Sequence, residues 1–208
     1  MRVGILGTGQ IIKEFLPIAN ALNFEEVSIF GREVRRTDIE ALARQYGIEH
    51  CYYDYDEMLD GDIDTIYVAL PNFLHYSFAK KALEAGKNVI LEKPATANVN
   101  ELEKFCIIAE NKDKILIEAM TTHYLPAYQS IKADLRKLGN IKIISVNYSQ
   151  YSSRYDSFKR GEILAAFDPQ KAGGALMDLN VYNINFIVGL FGKPKRVLYH
   201  ANIQHLHP

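Results

Sequence analysis

The sequence has no tryptophan and only two cysteines among its 208 residues. Cys51 and Cys106 form no CxxC pair, which argues against a disulfide framework and a thiolate metal site and favours a reducing compartment. The formal net charge is only -1, so the sequence shows no electrostatic footprint for nucleic acid or for an anionic membrane surface. These absences argue against the disulfide-rich and the nucleic-acid-binding classes of protein.

Two targeting features are also missing from the pattern. Strand-like sequence begins at Val3, which leaves no room for a signal peptide, and we find no apolar run that approaches the ~20 residues of a membrane-spanning helix. The composition, with 48% hydrophobic and 24% charged residues, is ordinary for one large or two modest globular domains. We expect a soluble, cytoplasmic protein with no membrane partner.

Short apolar runs alternate with helical patterns up to residue 119. This alternation predicts an α/β fold with a doubly wound parallel sheet. After Met120 the pattern changes, because residues 141–151 alternate in strand fashion and residues 196–203 form a further predicted strand, which is typical of a one-sided, mainly antiparallel sheet. We predict two domains: a dinucleotide-binding domain at 1–121 and an incomplete α+β domain with an open sheet at 122–208.

A glycine-rich turn follows the first predicted strand. Gly7 and Gly9 stand directly after Arg2–Leu6, and a helix is predicted from Gln10. The first glycine of such a motif makes a tight turn, and the second lets backbone N–H groups approach a pyrophosphate at the helix N-terminus. Ile12 replaces the third glycine, whose role mainly concerns helix–sheet packing. The motif predicts dinucleotide binding; a plain strand–helix turn is the alternative.

The end of the next predicted strand, Val27–Phe30, carries Arg32. An NAD site places an acidic residue about 20 residues after the glycines to bind the ribose, whereas an arginine suits the 2′-phosphate of NADP. Arg35 and Arg36 follow, and Glu33 could still serve a ribose. The pattern favours NADP over NAD, and a solvated basic helix start is the alternative interpretation.

Residues 66–94 read as strand, turn, helix and strand. The turn carries Asn72, and the second strand ends at the Glu-Lys-Pro string that contains Lys93. Ligands bind at the carboxyl ends of strands in open α/β sheets, so we expect Asn72 and Lys93 to face the same crevice. From the residues alone, the simpler interpretation of His75 is structural: it would cap a helix that begins at Tyr76.

A second polar group of residues lies on a helix predicted for 175–190. Asp178, Tyr182 and Asn185 stand at i, i+4 and i+7, which is one face of an otherwise apolar helix. Such a stripe faces either solvent or a wet cleft, and the spacing alone does not choose between the two.

Several separated strings make the sequence resemble the Gfo/Idh/MocA oxidoreductases, the relatives of glucose–fructose oxidoreductase and inositol dehydrogenase. The strings are GTG after the first strand, LPNFLH at 70–75, AGKNVILEKP at 85–94, EAMTTHYLP at 118–126 and FDPQKAGGALMDLNVY at 167–182. The last string is most similar to the dihydrodiol/xylose dehydrogenase branch, which has a tyrosine at the position of Tyr182 where other branches have a histidine.

The resemblance implies an N-terminal Rossmann domain and an NAD(P)-dependent oxidoreductase. Such an enzyme transfers a hydride between the nicotinamide and a secondary alcohol of a sugar or cyclic diol. Lys93 and Tyr182 are the implied catalytic pair, with Asp178 in support. A tyrosine with a pKa of about 10 is a poor base at neutral pH unless a cation lowers that value, and Lys93 would be that cation. The implied cofactor contacts are Gly7, Thr8, Gly9, Gln10, Ile11, Arg32, Leu70, Pro71, Asn72, His75, Glu92 and Lys93.

The sequence departs from the family at Ile12, at Asn180, where glycine is usual, and at His123, where arginine is common. Members of the family are also longer, so we expect a chain truncated within its second sheet. A non-catalytic nucleotide-binding regulator, or an inactive fragment, is therefore the alternative function. NAD-dependent glycoside hydrolysis shares the fold, but Arg32 argues against a dedicated NAD site.

Two further expectations concern partners. An open sheet would expose apolar surface and favour self-association, so we expect a homodimer through the C-terminal sheet. We expect no metal, because His200, His205 and His207 lack carboxylate partners in the sequence around them.

Overall fold

The structure is a computed structural model that describes residues 1–202. The chain forms two compact units, Met1–Ala119, here called unit 1, and unit 2, which begins at Met120. The division lies at 119/120, against the predicted 121/122.

Unit 1 contains a six-stranded sheet with the order β3-β2-β1-β4-β5-β6, in which every neighbouring pair is parallel. Its strands are β1 (Arg2–Leu6), β2 (Glu26–Phe30), β3 (His50–Tyr52), β4 (Thr65–Val68), β5 (Asn88–Leu91) and β6 (Leu116–Glu118). Leu6 lies opposite both Phe30 and Val68, and Val68 lies opposite Leu91. The strands therefore end level at one edge, and the direction of the strand order reverses between β1 and β4. The predicted doubly wound parallel sheet is confirmed.

Five helices cover this sheet on both faces. They are α1 (Gln10–Ala19), α2 (Arg36–Tyr46), α3 (Tyr55–Asp60), α4 (Asn72–Glu84) and α5 (Val99–Asn111). Successive strand residues enter two separate cores: Ile5 packs with Ile12 of α1 in one, and Leu6 packs with Leu83 of α4 in the other. Because both of its faces are buried, β4 (TIYV) reads as a mainly apolar run rather than as an alternating one.

Local signals define the helix ends. The Asn98 side chain accepts a hydrogen bond from the N–H of Glu101 at 3.1 Å and so caps α5. Gly47 closes α2 in the left-handed conformation. Helix α4 begins at Asn72, directly after Pro71 and before the predicted start at Tyr76.

Unit 2 consists of short helical elements. They are a 3₁₀ turn at Thr121–Tyr124, α6 (Pro126–Asp134), a 3₁₀ turn at Leu135–Leu138, α7 (Tyr155–Lys159), 3₁₀ turns at Ala165–Phe167 and Pro169–Lys171, a π-helical turn at Leu176–Asn180, and α8 (Val181–Phe191).

The described residues of unit 2 form no strand, so the predicted antiparallel sheet is not present in them. Residues 141–151 and 196–202 have no regular secondary structure, and residue 203 of the second predicted strand lies outside the described residues. Ile143 is 87% exposed and Leu198 is 81% exposed. Alternation predicts which face of a strand is apolar, but a strand also needs hydrogen-bonded neighbours and a covering layer. Neither segment has them within residues 120–202.

The segment Pro169–Phe191 corrects the expectation that no stretch reaches the length of a membrane span. It has a mean hydropathy of 1.2 and is long and apolar enough to qualify by length and composition. The segment is not one regular helix, however, because Gly174 adopts a φ of +103° and a π turn follows. Core helices meet the same criterion, so we draw no membrane assignment from it.

Candidate dinucleotide and active site

The turn after β1 has two glycines with different requirements. Gly7 adopts a φ of +114°, and a Cβ there would lie 2.4 Å from the carbonyl oxygen of Ala69. Only glycine fits this left-handed position beside the end of β4. At Gly9 a Cβ would meet nothing within 4 Å. Gly7 is therefore needed for the turn itself, whereas the space above Gly9 is open to a ligand.

Helix α1 presents an uncapped N-terminus next to that open space. No side chain caps the helix, and no acidic residue lies in its first turn. The first N–H groups of a helix have no intrahelical acceptor, and the helix dipole favours an anion there by roughly 0.3–1 kcal/mol. Gln10 and Ile11 belong to this exposed turn, whereas Ile12 is fully buried in the core. The departure at the third fingerprint position is thus a packing residue, and the residues present fit a pyrophosphate.

The arginines after β2 differ in their partners. Arg35 pairs with Asp38 at 2.6 Å. Arg36 forms two hydrogen bonds to Glu33, at 2.7 and 2.9 Å, and its guanidinium carbon lies 3.8 Å from the centre of the Tyr53 ring. These bonds lower the pKa of Glu33 and raise that of Arg36.

Arg32 is exposed, and among residues 1–202 no acidic side chain forms an ion pair with it. The alternative ribose-binding acid, Glu33, is held by Arg36. The exposed guanidinium of Arg32 at the end of β2 fits a 2′-phosphate better than a ribose hydroxyl pair.

The next site residues lie after β4. Pro71 precedes α4 in an extended conformation, and Asn72 is the first residue of the helix. Leu70 and Asn72 are half-buried at the edge where β1 and β4 end. This edge is the crevice in which doubly wound sheets bind their ligands.

His75 has no exposed surface. Its Nδ1 lies 2.9 Å from the carbonyl oxygen of Pro94, and its Nε2 lies 2.8 Å from that of Leu70. Burial lowers the pKa of His75, although the two carbonyls favour the charged form. Both ring nitrogens face backbone carbonyls, and the implied contact of His75 with the cofactor stays a prediction.

Glu92 and Lys93 follow β5, and both are half-buried. Tyr67 of β4 donates a hydrogen bond from its hydroxyl to Oε1 of Glu92 at 2.6 Å. Burial, and then this bond, raise the pKa of Tyr67. The backbone beyond Lys93 is fixed as well, because the N–H of Ala95 donates to Oε1 of Glu118 at 2.9 Å.

Tyr67 and Glu118 were not among the residues predicted for the site. Tyr67 lies in an apolar strand, where an aromatic residue indicates core packing. Its hydroxyl was the available signal, because a buried tyrosine hydroxyl requires a hydrogen-bond partner. Glu118 begins the EAMTTHYLP string of the resemblance, but nothing in the sequence indicated its hydrogen bond with the Ala95 N–H.

In unit 2, Asp178 lies in the π turn and Tyr182 lies in the first turn of α8, and both are half-buried. The ring of Tyr182 stacks on that of Tyr148, with centroids 5.1 Å apart and an interplanar angle of 18°. Short π turns are frequent at functional sites. The side-chain amide of Asn185 donates a hydrogen bond to the carbonyl of Val181 at 3.0 Å.

His123 is integrated into the packing of unit 2. Its Nε2 lies 3.0 Å from the carbonyl oxygen of Asn185, and its ring lies 5.0 Å from that of Tyr128. A Cβ at Gly189 would lie 2.9 Å from this Nε2 and 2.2 Å from the Tyr128 hydroxyl. Gly189 therefore permits the close approach of α8 to these two rings.

Within residues 1–202, no three His, Cys, Asp or Glu side chains are grouped to hold a metal ion. His200 lies within this range, and His205 and His207 lie outside it.

The sequence matches two known domain types. Residues 1–120 match the family described as oxidoreductase family, NAD-binding Rossmann fold, and residues 131–208 match the GFO/IDH/MocA C-terminal domain. The first match alone covers more than half of the chain and coincides with unit 1.

Two curated proteins illustrate the similarity. The chain is 37% identical over 199 residues to scyllo-inositol 2-dehydrogenase (NADP(+)) IolU of Bacillus subtilis, across 95% of this chain and 60% of that protein. It is 30% identical over 201 residues to D-xylose 1-dehydrogenase (NADP(+)) 2 of Haloferax volcanii, across 95% of this chain and 59% of that protein. The chain thus spans about 60% of the length of these relatives.

A solved structure agrees in fold. KijD10, a 3-ketoreductase from Actinomadura kijaniata in complex with NADP and TDP-benzene, matches with a TM-score of 0.74 and 26% identity. The match covers 92% of this chain and 57% of that chain.

Proposed function

The chain belongs to the Gfo/Idh/MocA oxidoreductase family, and we propose that it is an NADP-dependent dehydrogenase. Its substrate would be a secondary alcohol of a sugar, an inositol or a cyclic diol. The observation that carries the cofactor preference is the contrast at the end of β2, where Glu33 is paired with Arg36 and Arg32 is exposed.

The relatives support this preference. IolU and the xylose dehydrogenase both carry NADP(+) in their names, and KijD10 was solved with NADP. Their substrates are an inositol and a pentose in the first two cases. A polyhydroxylated secondary alcohol is the chemistry that these substrates share.

Each site residue has a proposed role that follows from its chemistry. NADP, when bound, supplies the acceptor for the hydride of the alcohol carbon. Gly9 and the first turn of α1 would hold its pyrophosphate, and Arg32 its 2′-phosphate. Tyr182 would take the proton of the substrate hydroxyl, and the ammonium group of Lys93 would favour the ionised phenol. Asp178 would support Tyr182.

We also propose that residues 141–151 and 196–202 become strands when neighbouring strands are available, and that the chain forms a homodimer through them. Their exposed apolar side chains support this proposal. Light scattering at micromolar concentration tests it, and a monomer would contradict it.

Nucleotide binding without turnover is the second candidate. The complete sheet of unit 1 and the absence of strands from the described residues of unit 2 favour it. A binder of this kind would need neither Lys93 nor Tyr182.

The deciding experiment follows the absorbance of reduced nicotinamide in the presence of NADP and a panel of scyllo-inositol, xylose and cyclic diols. Turnover that falls about 100-fold or more in Tyr182→Phe, with unchanged NADPH binding, would establish the enzyme. NADPH binding without turnover of any substrate would favour a protein that binds the nucleotide without catalysis.

A further inference from the structure

His75 lies between the two segments of unit 1 that carry Asn72 and Lys93, two of the implied cofactor contacts. Its ring lies between the carbonyl of Leu70, which directly precedes Pro71 and Asn72, and the carbonyl of Pro94, which directly follows Lys93. The two distances, 2.8 and 2.9 Å, are those of hydrogen bonds. One side chain therefore bridges the chain beyond β4 and the chain beyond β5.

The bridge completes a set of contacts around Lys93. On one side, the N–H of Glu92 donates to the carbonyl of Val68 at 3.0 Å, and the Glu92 carboxylate accepts from Tyr67. On the other side, the Ala95 N–H donates to Glu118. His75 adds the contact at Pro94, between these two sets. The backbone that carries Lys93 is thus held from β4, α4 and β6.

Core packing alone does not account for this arrangement. A fully buried imidazole has a desolvation cost that an apolar side chain would avoid. The cost is offset only where the ring nitrogens find partners, and here both partners are carbonyls of the two segments flanking the crevice. The neutral ring has one N–H and donates a hydrogen bond to only one of the two carbonyls, whereas the protonated ring donates to both. In either state the ring fills the space between the two segments.

We propose that His75 is a positioning residue that fixes the Leu70–Asn72 segment relative to Lys93, so that the nicotinamide half of bound NADP meets preformed groups without touching His75 itself. The inference rests on the proposed NADP site. The adenosine half of the cofactor is assigned to Arg32 and the turn after β1, which make no contact with His75 among the hydrogen bonds of the described residues.

The inference is tested with one ligand that has only the adenosine half of NADP and one that has both halves. Adenosine 2′,5′-bisphosphate carries only the adenosine half, whereas NADPH carries both. Calorimetry on the full chain measures the affinity for each ligand. In the His75→Leu variant, we expect the affinity for the bisphosphate to stay within about 2-fold of wild type. The affinity for NADPH should fall about 10-fold or more. Leu83→Ala is the matched control, because Leu83 is also fully buried in α4 but belongs to the core. It should leave the ratio of the two affinities unchanged.

Two conservative variants sharpen the assignment. An asparagine places its amide nitrogen near the position of Nδ1, and a glutamine places it near Nε2. Because Nδ1 faces Pro94, next to Lys93, His75→Asn should restore most of the NADPH affinity, and His75→Gln should restore less.

The outcomes separate this inference from the proposed function. Wild-type chain that binds neither ligand would overturn the NADP site and this inference together. Wild-type chain that binds both ligands, while His75→Leu weakens both in proportion or neither, would overturn the positioning role alone. Equal behaviour of His75→Leu and Leu83→Ala would have the same consequence.

Discussion

Unit 1 buries the apolar side chains of its inner strands, whereas unit 2 leaves many of its own exposed. Ile5 and Leu6 of β1 are completely buried between two layers of helices, and Ile143 and Leu198 of unit 2 are largely exposed. The inner strands of unit 1 are short, mainly apolar runs, and residues 141–151 of unit 2 alternate between apolar and polar side chains. The difference teaches that an apolar pattern produces a strand only where hydrogen-bonding neighbours and a second layer are present.

Hydrogen exchange on the full chain should show this contrast as its largest effect. Amides of β1 and β4 should exchange only when unit 1 unfolds, which for a domain stable by about 5 kcal/mol or more slows exchange roughly a thousandfold. In a monomeric sample, residues 141–151 should exchange at close to the unprotected rate. Strong protection of residues 141–151 in a monomeric sample would break the comparison.

Truncation of matched apolar side chains should differ strongly between the units. Ile12→Ala removes a fully buried side chain and should destabilise unit 1 by about 2–4 kcal/mol, because it leaves a cavity. Ile143→Ala, at an exposed position, should change stability by less than about 0.5 kcal/mol. Thermal melting followed by circular dichroism measures both, and similar losses would show that residue 143 is covered in solution.

The two glycines of the β1 turn should separate folding from binding. Gly7→Ala forces a side chain into a left-handed backbone and against Ala69, so we expect a loss of about 1–3 kcal/mol in stability. Gly9→Ala meets no protein atom and should leave the melting temperature unchanged while weakening NADPH binding. Equal NADPH affinity of Gly9→Ala and wild type would place the pyrophosphate elsewhere.

Removal of the exposed arginine should affect only the phosphorylated cofactor. Arg32→Ala loses a charge-assisted contact of about 1.5–3 kcal/mol, which corresponds to an approximately 10- to 100-fold weaker NADPH affinity. Arg35→Ala is the control, because that guanidinium is already paired with Asp38, and it should change the affinity little. Equal losses in the two variants would point to general electrostatic attraction.

The smallest expected effect is a pH dependence of the stability of unit 1. Burial lowers the pKa of His75 in the folded state below its unfolded value of about 6.5. The unfolded chain therefore binds more protons as the pH falls below about 6.5, and stability is lost by up to about 1.4 kcal/mol per pH unit. Above this pH the contribution is fully present. Chemical denaturation between pH 5 and 8 checks it, with His75→Asn expected to lack this part of the slope.

The fold of unit 1 was predictable because each of its elements carries its own signal. Buried runs specify the strands, and the glycine turn places β1 before α1. The predicted Lys93 and Asn72 do lie at the same sheet edge, because parallel strands end level there. These features are local or follow from topology.

The supporting contacts were not predictable in the same way. The bridge by His75 and the bonds from Tyr67 to Glu92 and from Ala95 to Glu118 join residues distant in sequence. Such partners are set by tertiary packing and leave no periodic trace. The strands predicted for unit 2 failed for the related reason that alternation specifies a face without specifying a neighbour.

The most direct test is a calorimetric titration of the 208-residue chain with NADPH and with NADH. The exposed Arg32 beside the paired Glu33 predicts saturable binding of NADPH at one site, at least about 10-fold tighter than that of NADH. Binding of NADH as tight as that of NADPH, or of neither cofactor, would contradict the account.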